Sequence, residues 1–315
     1  MPAHQPMINV KHQTSLFSVS APVINSYCSP FVQSTVAHDI SFDGVGVHSG
    51  LPVQLTIRPA APYTGYVFIR TDLDNARIPA VYDAVVDTTM CTKIANKDGI
   101  SIATIEHVIA ALQGIGITNA EIDVSGAEVP IMDGSSCLFT EALMRVGASV
   151  QSARQRTLKI LAPVRVSHST GYAEFLPSHE RRLNVTFDFG GRLTDSSYGT
   201  HFSFDLDHDN FHDLIADART FGLFEDAIRL QQAGLAKGAT LENTVVLKDN
   251  AVMNENGLRS NDEMVRHKVL DAIGDLALAG CAIVGTFSAH NPGHGLNNQL
   301  LRALFATPQS FTWIN

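Results

Sequence analysis

The sequence predicts an α+β protein, and three observations carry that reading. In each half of the 315-residue chain strands come first and helices after, without the strand–helix alternation of a βαβ wind. Each half also sets a histidine early in an Ala-rich helix that closes on glycine: Glu106-His107 in one, Arg266-His267 in the other. Between the halves, residues 149–156 are polar and read as a linker, dividing the chain into segments 35–150 and 151–315. The paired histidine helices suggest a duplication, although the match is too short to establish one.

Residues 1–34 show no periodicity and predict a loose N-terminal tail with no assigned function. From Val36 the chain reads as short strands and turns. Ser41-Phe42 comes first, then a glycine-rich loop at 44–50, then the alternation Val53, Leu55, Ile57. That loop leads into a strand, so it is not a phosphate-binding fingerprint, and its glycines serve backbone geometry. Residues 101–112 predict an amphipathic helix. Ile105, Val108, Ile109 and Leu112 recur at helical spacing, and Gly114 and Gly116 stop it. A strand at 120–124, a tight loop at 126–136 and a helix at 138–146 complete the first half.

In the second half, strands are expected at 158–166, 172–175 and 183–189, with helices at 211–217 and 224–233. A strand at 244–247 leads into the turn Asn254-Glu255-Asn256-Gly257. A long helix follows at 262–279, then a strand at 282–287 and a helix at 296–306.

Composition narrows the function. Hydrophobic residues make up 45% and charged residues 17%, an ordinary globular balance. A formal charge of -9 argues against a nucleic-acid partner, which would need clustered Lys and Arg. An anionic small ligand stays compatible where a local basic residue offsets the field. Cys28, Cys91, Cys137 and Cys281 form no CxxC pair and no dense disulfide framework, so a reducing compartment with mostly buried thiols is expected. Any metal then falls to His and carboxylates. The longest apolar stretch, 276–287, is interrupted by glycine and too short to span a bilayer. No basic-then-apolar leader opens the chain. The expectation is a cytoplasmic protein without stable membrane insertion.

Three segments carry candidate chemistry. In the 262–279 helix, His267 and Asp271 stand four residues apart and share a face, with Asp275 one turn further on. An imidazole and a carboxylate so placed can bind one metal. The same spacing also fits a solvated surface pair, but the neighbouring Val265, Val269, Leu270 and Ile273 bring this face towards the core. Glu106-His107 offers a second His beside a carboxylate, the pairing of ligand and base that recurs in zinc hydrolases. It is not HExxH, because Ala111 stands four residues after His107; a surface Glu beside a core His is the alternative. His294, between Gly293 and Gly295, lies in a strand-to-helix loop and reads as a general acid or as a solvated helix-start His. Together these supply two His and one Asp as ligands, with a spare Glu and a spare His. A catalytic zinc site needs three protein ligands, an open position, a base and an acid.

Over residues 33–306 the chain resembles the UDP-3-O-acyl-N-acetylglucosamine deacetylases of Gram-negative bacteria. The resemblance rests on the 44–50 loop, Thr104-Ile105-Glu106-His107 and Glu128-Val129-Pro130-Ile131-Met132-Asp133-Gly134-Ser135. It continues through Ala218-Arg219-Thr220-Phe221-Gly222, Asn256-Gly257-Leu258-Arg259, residues 265–276, and Gly293-His294 with Leu296-Asn297-Asn298. It implies two similar α/β sandwich domains with the active site between them. It further implies that His107, His267 and Asp271 bind Zn2+. Glu106 becomes general base on the attacking water and His294 general acid to the departing amine. Asp275 holds His294, and Thr220 donates its hydroxyl to the oxyanion. Lys268 meets the substrate diphosphate and Phe189 stacks on uracil, while Phe221 begins an insert, 221–244, that shapes the acyl passage. The implied reaction is removal of the N-acetyl group from a UDP-linked acylated glucosamine, an early committed step of lipid A synthesis, by a monomer. The chain departs from the family at Asn291, where a basic residue is common, and at Gly171, where Lys often precedes an aromatic, here Tyr172. Three rivals fit less well. A non-catalytic nucleotide-sugar binder has no need of Glu106 and His294, a zinc peptidase calls for HExxH, and a structural zinc protein calls for four closed ligands.

Overall fold

The computed structural model describes residues 32–168, 170–189, 197–249 and 251–314. In the first half, β1 (Val32–Val36), β2 (Ile40–Val45), β3 (Pro52–Pro59), β4 (Tyr66–Arg70) and β5 (Ala76–Pro79) come first. Then follow β6 (Val85–Asp87), β7 (Lys93–Ala95), β8 (Ser101–Ile102), α1 (Glu106–Gly114), β9 (Ala120–Val124), α2 (Cys137–Val146) and β10 (Ala148–Arg154). A five-stranded sheet runs in the order β2-β3-β9-β4-β5, antiparallel except where β4 and β9 run parallel. Its pattern follows the predicted alternation. Val53, Leu55 and Ile57 are buried along β3, while Arg58 on the other face pairs with Asp123.

The second half holds β11 (Thr157–Ile160), β12 (Val164–His168), β13 (Gly171–Leu176), β14 (Arg181–Thr186), β15 (His201–Asp205), α3 (Phe211–Leu214), β16 (Phe221–Leu223) and α4 (Phe224–Gln232). After these come β17 (Val245–Lys248), β18 (Ala251–Val252), α5 (Glu263–Leu276), β19 (Ala282–His290), α6 (His294–Phe305) and β20 (Phe311–Ile314). Strand β19 is the hub of the larger sheet. It runs parallel to β11 along its start and to β14 along its end, and antiparallel to β13. The class is the expected α+β, with mixed sheets and six α-helices among the described residues.

Helices α1 and α5 pack on each other, and α5 also meets β14 and β15. One hydrophobic core therefore runs through both halves, from Leu55 and Phe68 to Phe175 and Phe287. The helix crossing is unusually close because α5 carries Gly274 at the contact. A Cβ there would lie 2.2 Å from the Glu106 carbonyl oxygen. This approach joins the two histidine-bearing segments.

Several boundaries differ from the sequence reading. The tail yields a strand from Val32, whose partner is β10, so most of the polar 149–156 stretch is paired strand and not linker. Ser149, Ser152 and Arg154 are exposed there, which composition alone does not separate from a loop. Residues 1–31 lie outside the described residues. Helix α1 starts at Glu106 and not at 101, because Ser101-Ile102 pairs with β7 and Thr104 takes a left-handed φ of 61°. The strand expected at 158–166 is two strands separated at Leu161–Pro163, and the helix at 211–217 shortens to one turn. Among the described residues, no helix is long and apolar enough to cross a membrane.

Candidate active site

Glu106 and His107 open α1, and His267 and Asp271 lie one turn apart on α5, so the helix crossing brings all four together. One donor atom each from His107, His267 and Asp271 lies within 4.8 Å of the others. Asp271 Oδ1 stands 3.4 Å from His267 Nε2 and 3.8 Å from His107 Nε2. Ligands at about 2.0–2.1 Å in a tetrahedron are about 3.3–3.4 Å apart, so the set fits one small divalent ion with slight closure. The donors are prepared for it. His267 Nδ1 donates to the Ala218 carbonyl at 3.0 Å, which leaves the Nε2 lone pair inward. Asp271 Oδ1 is buried and has no hydrogen-bond partner among the described residues. A buried carboxylate oxygen without a partner is costly unless a cation completes it.

Protonation agrees with this fit. Burial, reinforced by the neighbouring His267, lowers His107 to about 3, and burial likewise lowers His267. Burial works to raise Asp271, but His267 and Lys268 outweigh it and hold the carboxyl far below the usual range. Neutral imidazoles and an ionised carboxylate are the forms that bind a metal. Lys268 Nζ donates to Asp271 Oδ2 at 2.6 Å, orienting Oδ1 towards the histidines.

A second constellation adjoins the first. His294, the first residue of α6 with Gly293 as its N-cap, shares its Nδ1 proton with Asp275 Oδ2 at 2.9 Å. Its Nε2 lies 3.8 Å from Glu106 Oε1. Thr92 and Asn297, which the sequence reading left without a role, complete this array. Thr92 N–H donates to Glu106 Oε2 at 3.0 Å, while its hydroxyl donates to Asp275 Oδ1. Asn297 Nδ2 donates to Asp275 Oδ2 at 2.9 Å. Thr92 sits on a loop 183 residues from Asp275, and no local spacing signals such a contact. Asn297 carried a signal, since it lies one turn after Gly293-His294 in a matched motif.

Burial raises the Glu106 carboxyl, and despite the opposing His294 charge it settles at about 7. For His294 burial acts downward, but Asp275 and Glu106 outweigh it and raise the imidazole to about 10. A buried carboxylate near neutrality beside a cationic imidazole is suited to taking one proton and giving another.

Both constellations open into a cavity of about 880 Å³. Thr220 lines it, two residues past the carbonyl that holds His267, with its backbone fixed between Gly134 and Val245. Phe189 and Phe221 also line it. Their rings are 5.1 Å apart, Phe187 packs on both, and Phe221 meets His267 at 5.8 Å. The 221–244 segment forms β16, α4 and a returning loop; Phe224 and Ile228 of α4 and Ala236 and Leu241 of the loop wall the cavity. That loop crosses to the first half, where Lys237 and Gly238 donate backbone hydrogen bonds to His48 and Val47.

The two departures noted in the sequence form one local arrangement. A Cβ on Gly171 would lie 2.4 Å from the His290 carbonyl, so strands β13 and β19 meet too closely there for a side chain. Asn291 donates to Asp188 Oδ1 at 2.7 Å and accepts from Asp188 N–H, tying the end of β19 to the Phe187-Asp188-Phe189 turn.

Relatives match this chain nearly end to end. A family model described as LpxC, UDP-3-O-acyl N-acetylglycosamine deacetylase, matches residues 33–306. The protein named UDP-3-O-acyl-N-acetylglucosamine deacetylase from Histophilus somni is 43% identical over 284 residues, covering 90% of this chain and 93% of its own. Its namesake from Pasteurella multocida is 44% identical over 283 residues, covering 90% and 92%. That of Shewanella halifaxensis is 47% identical over 275 residues, covering 87% and 90%. With a family match that begins in β1 and ends just past α6, the chain belongs to the LpxC family of UDP-3-O-acyl-N-acetylglucosamine deacetylases.

Proposed function

We propose that this protein hydrolyses the N-acetyl group of UDP-3-O-acyl-N-acetylglucosamine in a zinc-dependent reaction, releasing acetate and the free amine early in lipid A synthesis. The observation that carries the reading is the contact between two sets of buried groups at one cavity. One is a three-donor set with an unpartnered carboxylate oxygen; the other is a Glu–His–Asp array 3.8 Å across at its Glu–His contact. His107, His267 and Asp271 would hold Zn2+, which supplies Lewis-acid polarisation of the amide carbonyl and of water.

The remaining steps belong to side chains. Glu106 Oε takes the proton of the attacking water, and the Thr92 amide keeps its second oxygen in place. Thr220 donates its hydroxyl to the developing oxyanion. An amide nitrogen leaves poorly as an anion, so His294 must deliver a proton to it from Nε2. Asp275 holds Nδ1–H and stabilises the imidazolium before that transfer. Each proton transfer contributes about 10²- to 10⁴-fold.

Lys268 serves the substrate's anionic group, and to do so its ammonium shares or leaves the Asp271 contact. Phe189 offers a ring face for the uracil, and the 221–244 segment from Phe221 forms the acyl passage. The division into two domains falls between β10 and β11, and the protein works as a cytoplasmic monomer. Acetate release from the acylated nucleotide sugar is the test. Glu106→Ala and His294→Ala should each abolish it while metal content stays unchanged, because neither is a ligand. The double variant should be little worse than the worse single. Near wild-type turnover in either single variant would remove that residue from its role.

A further inference from the structure

We infer that Cys137, Glu141 and His212 form a second metal site, open to solvent, for a zinc-like divalent cation. One donor atom from each lies within 4.8 Å of the others. Cys137 begins α2 and Glu141 stands one turn later, so both project from one face, and Cys137 Sγ lies 3.6 Å from Glu141 Oε1. His212 comes from α3, which belongs to the other half of the chain. The site therefore spans the seam between the halves.

The third donor has the carboxylate support that metal-binding imidazoles have. Asp213 Oδ1 lies 2.8 Å from His212 Nδ1 and accepts its proton, which leaves the lone pair on Nε2. Asp213 is itself held, since Asn210 Nδ2 donates to its Oδ2 at 2.7 Å. Asn210 Oδ1 also accepts the His212 amide at 3.0 Å and fixes the short helix. A thiolate, an imidazole and a carboxylate favour Zn2+, Co2+ or Cd2+ over Mg2+ or Ca2+. Three protein ligands leave a fourth position for water.

Binding exchanges one proton. Without a cation the thiol stays protonated, because burial and then Glu141 and Asp133 push it up to about 11. On ligation the S–H bond breaks, the sulfur electron pair goes to the metal, and the proton leaves to solvent. The consequence reaches the active site through Ser136, which precedes Cys137. Its N–H donates to Ala216 O, and its hydroxyl donates to the His107 carbonyl at 2.8 Å. A cation joining α2 to α3 would tighten the seam behind the catalytic helix and raise Tm as its free concentration passes Kd, with the logarithm of concentration thereafter.

The experiment titrates Co2+ into the full-length enzyme loaded with a single equivalent of Zn2+, so that the second site is free of zinc, and follows near-ultraviolet absorption and bound metal. A thiolate-to-cobalt charge-transfer band should grow with a second equivalent of metal. The His107, His267 and Asp271 set contains no sulfur and cannot produce that band. Cys137→Ser and His212→Ala should lose the band and the second equivalent while keeping the first equivalent and deacetylation. Asp213→Asn keeps every ligand and should weaken the second site about 10–100-fold. Absence of the band in the unaltered protein at millimolar Co2+ would overturn the inference. So would a band that survives Cys137→Ser, since it would belong to Cys28, Cys91 or Cys281.

Discussion

Substituting Gly274 by Ala tests whether the α1–α5 crossing sets the active-site geometry. The added Cβ would stand 2.2 Å from Glu106 O, 2.9 Å from its carbonyl carbon and 3.0 Å from its Cα, all backbone atoms that no rotamer change can move aside. Carbon–oxygen contacts settle at about 3.3–3.6 Å, so the helices must part by about 1 Å. Overpacking of this kind costs about 1–3 kcal/mol, and the better helix propensity of Ala returns about 1 kcal/mol. The net loss of stability is therefore about 0–2 kcal/mol. The effect on chemistry is larger, since Glu106 and His107 move together away from His267 and Asp271, and a displacement of about 1 Å can cost about 10²-fold. Urea denaturation, metal content and kcat/KM on one preparation separate the two effects. The expected signature is a small stability loss with kcat/KM down about 10²-fold. A Gly274→Ala variant with unaltered kcat/KM and metal content would refute the claim that this contact positions the site.

Three further outcomes follow from the same geometry. In the proposed mechanism Glu106 acts when ionised and His294 when protonated, so kcat/KM should be bell-shaped, rising with pH as Glu106 ionises and falling as His294 loses its proton; without a cation the two groups stand at about 7 and about 10. Positive charge from a bound cation moves both limbs to lower pH without reversing their order. Asp275→Asn removes the first upward influence on His294 and should move the alkaline limb down; a pH–rate profile with that limb unmoved would contradict the pairing. If Ile228, Ala236 and Leu241 wall an acyl passage, a substrate lacking the 3-O-acyl group should lose at least about 10²-fold in kcat/KM. The basis is that each buried CH₂ contributes about 0.8 kcal/mol. Equal kcat/KM for the two substrates would exclude the passage.

The sequence was most legible where a local period repeats. The α5 spacing placed His267, Asp271 and Asp275 on connected turns, and the β3 alternation placed its three core residues. It was least legible where a long-range contact decides. Strand β4 is buried at every position, so it shows no alternation to read, and the sequence reading passed over it. Helix α1 begins five residues later than its spacing predicts, because pairing with β7 captures Ser101 and Ile102 for a strand, a contact that local spacing does not signal. Thr92 could not be foreseen, since its role depends on Glu106 and Asp275 arriving from two different helices. The partner of Lys268 on Asp271 follows an ordinary i,i+3 spacing and could have been found.

The central claim is that His107, His267 and Asp271 hold a catalytic divalent metal between the two halves of the chain. Its most direct measurement is deacetylation by protein stripped with a chelator, dialysed free of it and titrated with Zn2+. Activity should vanish with the metal and return in proportion to zinc up to one equivalent at this set, with His267→Ala failing to recover. Full activity in a preparation shown by elemental analysis to contain no metal would contradict the account.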